Sequence, residues 1–218
     1  QPGLTTFEPA YADELAHIMG WGFEHMQADD GGAVYMRLST RVIDQPQRDF
    51  AAISDDVIAG AYWLREPAPG AELAIVYSGV IAPEAIKAHD AILEDIPDAG
   101  LLAITSTDRL YADWQATTRA YARGPNVAPS HIETLLSRLA PDAGLVTVMD
   151  GHPMTLGWLG SVASHDIAAL GVENFGQSAD LQDLYRLHGI DADAILDGAA
   201  AVITKGMRKR RGYRLAAE

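Results

Sequence analysis

The residue best placed by its neighbours to do chemistry is His152, which stands in Asp150-Gly-His-Pro153 directly after a short apolar run at 145–149. Open α/β sheets bind ligands beyond the carboxyl ends of their strands, and a helix that starts after Pro153 could hold an anion at its N-terminus. Ser78-Gly79 and Ser106-Thr-Asp108 end two earlier apolar runs in the same way. Ser78, Gly79, Asp108, Asp150 and His152 therefore make a candidate crevice for a small molecule or a partner. Gly-His-Pro is also a common turn, and one histidine with one aspartate is a thin set for catalysis.

Other combinations are weaker. Ser161 and His165 stand four apart, as helix neighbours do, with Asp166 next to them. An α/β-hydrolase carries its serine on a Gly-x-Ser-x-Gly elbow between strand and helix, and Ser161 has none. The seven histidines form no His-x-x-x-His pair and have no clustered carboxylates at metal-ligand spacing. Trp21, Trp63, Trp114 and Trp158 fall one to a segment, as packing residues do. Glu173-Asn174 suits either a partner contact or a solvated turn.

The elements that would carry these residues are legible from periodicity. Residues 8–26 read as a helix with Leu15, Ile18, Met19 and Met26 as its apolar stripe, and 33–39 as a strand with Val34, Met36 and Leu38 on one side. Residues 40–48 read as a linker, and 51–64 as one helix or strand. Strands are expected at 72–78, 101–106, 145–149 and 167–170. Helices are expected at 83–96, with Ile86, His89, Leu93 and Ile96 inward, and at 108–123, ended by Gly124-Pro125. Further helices fall at 129–139, 155–164 and 181–188, and a last one starts at 190. Strand, helix and strand in this order imply βαβ units and a mostly parallel sheet.

With 218 residues the chain has room for one sizeable α/β domain. It has no run of eighteen apolar residues and no basic-then-apolar start, so neither a spanning helix nor a signal peptide is expected. Zero cysteines excludes disulfides and fits a reducing, cytoplasmic location. A formal charge of −14 argues against a nucleic-acid surface. Six of the 16 basic residues crowd into Lys205–Arg214, leaving 10 basic against 29 acidic groups elsewhere. That tail reads as a solvated end, or as a docking strip for an acidic partner or for the chain's own acidic body.

Gly171-Val-Glu-Asn-Phe-Gly-Gln-Ser178 leads into the helix that ends at His188-Gly189, and Ile190-Asp191 opens the next one. This layout resembles the closing segment of the transketolase C-terminal domain. Phe7-Glu-Pro-Ala-Tyr-Ala-Asp-Glu-Leu-Ala16 and Val34-Tyr-Met-Arg-Leu-Ser-Thr40 are similar to the last helix and strand of the pyrimidine-binding domain in thiamine diphosphate enzymes. Among these the chain looks most like the homodimeric decarboxylating component of bacterial pyruvate dehydrogenase, with transketolase next. The resemblance implies a three-layer α/β fold with a mostly parallel sheet. It divides the chain into the end of a pyrimidine-binding domain and linker (1–45), a transketolase C-terminal-like domain (46–204) and a basic tail (205–218).

It also implies that this region scaffolds and dimerises a longer enzyme, with a lipoyl-bearing acyltransferase as partner of the whole complex. Thiamine diphosphate and Mg would belong to the full-length parent only. The family's diphosphate motif, Gly-Asp-Gly followed by Asn-Asn, supplies the oxygen ligands Mg²⁺ needs and a close backbone approach to phosphate. Its nearest counterpart here is Asp150-Gly151, preceded by Met149 and followed by no Asn pair. The family's catalytic glutamate lies upstream, so no catalytic, cofactor or metal residue is expected in this chain. A stand-alone ligand-binding or interaction module of the same fold is the expectation from another class.

Overall fold

A computed structural model describes residues 3–124 and 126–216, and side chains through Lys209. Pro125 lies outside the described residues, as do the side chains of Arg210, Arg211 and Arg214. The body is a five-stranded sheet of β3 (Ala61–Arg65), β4 (Ala71–Ser78), β5 (Gly100–Ile104), β6 (Leu139–Met149) and β7 (Asp166–Leu170). Its order is β3-β5-β4-β6-β7. β4 pairs parallel with both β5 and β6, β6 pairs parallel with β7, and only the edge strand β3 runs antiparallel.

The central strands read as unbroken apolar runs because helices cover both faces. On β4, Leu73, Ile75 and Tyr77 point to one face, where they join Ala85, Ala88 and Ile92 of α3 (Ala82–Ile92) and Ile195, Ala199 and Val202 of α8 (Ala192–Ala216). Ala74 and Val76 point to the other, under Leu110 of α4 (Thr107–Tyr121), Ile132 and Leu136 of α5 (His131–Leu136), and Leu156 of α6 (Met154–Gly157). Two buried apolar layers around one sheet give the expected three-layer α/β fold.

Local signals set several boundaries. Ser106 caps α4, accepting from Arg109 N at 3.4 Å. Ser130 and Glu133 form a reciprocal capping box at α5, with Ser130 N donating to Glu133 at 2.7 Å. α7 (Leu181–His188) ends at Gly189, whose φ of 62° is a left-handed cap that glycine adopts without penalty.

Several expectations need correction. The 51–64 segment is three elements, a 3-10 turn at Phe50–Ile53, α2 (Ser54–Ala59) and β3, the last two separated by Gly60. α3 turns Ala85, Ala88, His89 and Ile92 inward, a register that leaves Ile86 and Leu93 only half-buried. Residues 155–164 form the short α6 and a 3-10 turn at Trp158–Ser161 rather than one helix. The tail does not stand apart as far as its backbone is described: α8 continues through residue 216. Lys205 and Lys209 dock on the chain itself, each 2.6 Å from an oxygen of Asp166 at the start of β7.

Ahead of the sheet lies a small unit. β1 (Leu4–Phe7), which periodicity does not reveal, pairs parallel with β2 (Ala33–Met36), and α1 (Ala12–His25) crosses between them. Of the stripe expected on α1, Ile18 is buried but Met19 and Met26 are exposed; Glu14 and Gly22 take the inner places.

The Asp166 pins give a test. Hydrogen bonds from Lys205 and then Lys209 hold this carboxyl below its ordinary range. The stability it contributes is therefore present above the unfolded value of about 3.9 and lost as pH falls through the lower folded value. Both lysines are largely exposed, so Asp166→Asn should cost only about 1 kcal/mol at pH 7. Urea titrations at descending pH should show the gap between the two proteins closing below about pH 3.9.

Candidate functional site

The carboxyl ends of the parallel strands, where an open sheet offers its crevice, are Ser78, Ile104, Met149 and Leu170. The strand order reverses about β4, with β5 on one side and β6 on the other, and that is where a ligand would be expected. The chain's own N-terminal unit sits there. Glu8 N donates to Thr105 O at 2.7 Å, Thr6 N to Asp108 Oδ2 at 2.9 Å, and Ser106 Oγ to Thr6 O at 2.6 Å. Gly79 has φ of 62°, and a Cβ there would lie 2.6 Å from Glu8 Cγ. A side chain at position 79 would therefore displace Glu8 as well as strain the backbone.

The five crevice residues are thus divided. Ser78 is buried with its hydroxyl on Ile104 O at 3.0 Å. Gly79 receives Glu8, and Asp108 braces β1. Asp108 also lines a cleft of about 730 Å³ with Leu4, Thr5, Arg109, Asp113 and His131. Asp150 lines a different cleft of about 280 Å³ with Glu8, Arg37 and Val80. His152 is exposed, and its Nδ1 accepts from Met154 N at 3.3 Å within its own turn.

Three arginines that the sequence places on or beside a linker stitch the two parts together. Arg37 reaches Glu8 at 2.6 Å and Asp150 at 3.3 Å. Burial raises the Glu8 carboxyl against the opposing pull of Arg37. Arg41 donates to Val80 O at 3.3 Å and Tyr185 Oη at 3.5 Å, and pairs with Glu84 at 3.1 Å while lying over the Tyr185 ring. Arg48 takes Asp13 through Nε at 3.0 Å and Nη2 at 2.6 Å, and its guanidinium stacks near Tyr11, Phe50 and Tyr62.

Arg48 leads to the most unusual group, Glu14, which is 1% exposed. Its Oε2 accepts from Ala10 N at 2.7 Å and Tyr11 N at 3.1 Å, Tyr62 Oη donates to its Oε1, and Arg48 Nη2 stands 3.6 Å away. Arg48 Nη1 also donates to Tyr62 Oη. The Tyr11 and Tyr77 hydroxyls meet at 3.3 Å beside this cluster. Burial lifts the Glu14 carboxyl above its ordinary range, and the Tyr62 hydroxyl, the two backbone N–H groups and Arg48 oppose the lift. Burial likewise pushes Tyr62 and Tyr77 upward, so both hydroxyls stay protonated. The cluster can fix one unit against another; it offers no open position for a reacting atom.

The remaining combinations separate. His165 is buried with Nδ1 on Ala143 O at 3.1 Å and is kept neutral by that burial, while Asp166 is committed to lysines. They do not form a triad with Ser161. Among the described residues no group of three His, Cys, Asp or Glu could hold a metal. No helix among them is long and apolar enough to cross a membrane. Trp114 and Trp158 stack at 5.3 Å with Tyr111 edge-on to Trp158 at 5.2 Å, a packing cluster between α4 and the turn after α6.

No protein-family model matches the chain. It is 27% identical over 208 residues to the pyruvate dehydrogenase E1 component of Mycolicibacterium smegmatis, covering 89% of this chain and 22% of that protein. The E1 component of Corynebacterium glutamicum is 25% identical over 199 residues, with the same coverage. The chain thus spans about a fifth of the length of these curated relatives. The fold is shared with transketolase from Leishmania mexicana, with a TM-score of 0.61 at 17% identity over 94% of this chain and 26% of that one. It is shared equally with a split-gene transketolase described as an inactive beta4 tetramer, with a TM-score of 0.61 at 18% identity over 93% of this chain and 59% of that one. The resemblance to the C-terminal region of the transketolase superfamily therefore stands on sequence and on fold.

Removing the Glu14 carboxylate would strand two backbone N–H groups and the Tyr62 hydroxyl, while Arg48 would keep Asp13. Glu14→Leu should cost about 3–5 kcal/mol in urea unfolding. Because the folded value of Glu14 is raised, its contribution is full below the unfolded value of about 4.3 and is lost as pH rises through the folded one. Glu14→Gln should remove that declining slope from a plot of stability against pH.

Proposed function

We propose that this chain is the C-terminal region of a thiamine diphosphate-dependent 2-oxo-acid dehydrogenase component of the pyruvate dehydrogenase type. Its work is to scaffold and dimerise the enzyme. The observation that carries this is the match of 89% of the chain to 22% of two pyruvate dehydrogenase E1 components. The seam supports the same reading. A crevice filled by Glu8 and bridged by Arg37 serves as a mount rather than a reaction site.

The cofactor does not fit here. Asp150-Gly151 is the nearest likeness to a diphosphate–Mg motif, and its carboxylate is engaged by Arg37 at 3.3 Å. A Mg²⁺ site needs several oxygen ligands converging on one point, and among the described residues no group of three His, Cys, Asp or Glu could hold a metal ion. In the parent enzyme, decarboxylation would take place upstream and the acyl group would pass to a lipoyl-bearing acyltransferase. This chain would hold the two-fold assembly together.

Transketolase is the second reading, favoured by the solved structures that share the fold. One assay separates the two. The intact parent protein should reduce an artificial acceptor in the presence of pyruvate and thiamine diphosphate, and should not transfer ketol groups between sugar phosphates. Ketol transfer instead would assign the second reading, and activity with neither would overturn both. In calorimetry the 218-residue chain alone should take up no thiamine diphosphate with Mg²⁺.

A further inference from the structure

Most arginines of the chain have an evident destination. Arg37, Arg41, Arg48, Arg65, Arg138 and Arg186 each pair with a carboxylate, and Arg119, Arg123 and Arg208 are exposed to water. Arg109 has neither: it is half-buried and forms no ion pair with a described residue. Its Nε donates to Ile58 O at 2.6 Å, and its guanidinium lies 4.7 Å over the Trp21 ring. Nη1 and Nη2 donate to no described residue. Burial pulls its pKa down, and Asp108 and Asp113 oppose that pull from a distance. A half-buried cation with spare donors is costly unless an anion meets it.

Arg109 stands on the wall of the cleft of about 730 Å³ between β1 and α4. Small-molecule sites enclose about 300–1,000 Å³. The acidic groups of this cleft are already committed to the fold. Asp108 accepts from Thr6 N at 2.9 Å and from Ser106 Oγ at 2.8 Å, and Asp113 accepts from His131 N at 2.7 Å. His131 spends Nε2 on Ala61 O at 2.7 Å. The Arg109 Nη groups and the hydroxyls of Tyr111 and Thr5 have no hydrogen-bond partner among the described residues. A guanidinium only donates, so a ligand here must bring acceptors. Leu4, Ala59 and Ala112 add apolar wall for a short carbon body.

We propose that this cleft binds a small organic anion, whose carboxylate or phosphate head docks on the Nη edge of Arg109. The planar fork of a guanidinium matches either head in two parallel hydrogen bonds. Trp21 and the Ile58 carbonyl hold that fork before any ligand arrives, which reduces the ordering cost of binding. Trp21 belongs to α1, Thr5 to β1, and Arg109 and Tyr111 to α4, so occupancy ties the N-terminal unit to the main body. The site goes beyond the dehydrogenase reading and does not depend on it.

The test is calorimetric titration of the intact protein with two probes. Glycerol 3-phosphate represents the phosphate head and citrate the carboxylate head. At least one should bind, and which one does so identifies the head group. Arg109→Gln should weaken that binding about tenfold or more. This variant also gives up the Ile58 bond and the Trp21 contact, so a second one separates binding from folding. Ala112→Glu, at an exposed position three residues on in α4, places a carboxylate beside Arg109. It should abolish binding of the same probe and leave thermal unfolding unchanged or raised. Heat from neither probe, or either variant binding as tightly as the unaltered protein, would overturn the proposal. So would a crystal structure of the intact protein with a carboxylate of its own upstream polypeptide seated on Arg109. A probe bound in a protein inactive toward pyruvate keeps the site and removes only the functional reading.

Discussion

A carboxylate almost wholly out of water sets the terms for this structure. Glu14 is tolerable where it lies only because two backbone N–H groups, a tyrosine hydroxyl and an arginine converge on it. Those partners come from three places: the turn before α1, the linker at Arg48, and Tyr62 on β3. None can move far without leaving a buried charge unpaired. The small N-terminal unit and the five-stranded sheet are thereby held at one angle, by a penalty for separation more than by a gain on joining.

The other contacts of the seam are tuned to the same end. Arg37 and Arg41 are partly exposed and contribute modestly as ion pairs, yet each touches two elements at once and so adds direction. Gly79 lets Glu8 come down on the end of β4, and Ser106 and Asp108 imitate a neighbouring strand for β1. The carboxyl ends of a parallel sheet are where α/β proteins place ligands. Here the polar groups that would serve a ligand serve the backbone of another part of the chain.

How much of this could be read from residues alone follows from where each partner lies. β4, β5, β6 and β7 stand out because burial on both faces makes them continuous apolar runs. β1 is four residues, Leu-Thr-Thr-Phe, and β3 is an antiparallel edge just past a left-handed glycine, so neither has a period long enough to see. α3 is misphased by a residue because Ala82, Ala85 and Ala88 bring it close to the sheet, and small side chains weigh little in a hydrophobic stripe. The crevice residues were legible as strand ends, but their occupant was not. Arg48 lies 34 residues from Glu14 and in a stretch that looks like solvated linker, and nothing local marks either as the other's partner.

The seam also explains how a two-stranded sheet can persist beside a five-stranded one. A lone parallel pair has too little burial to offset its ordering, so β1 and β2 must borrow stability. The edge of β1 borrows it from Ser106 and Asp108, the start of α1 from Glu14 and Arg48, and the end of β2 from Arg37. Every loan is made on the side that faces the main sheet, while the far side of α1 keeps Met19, Phe23 and Met26 in water.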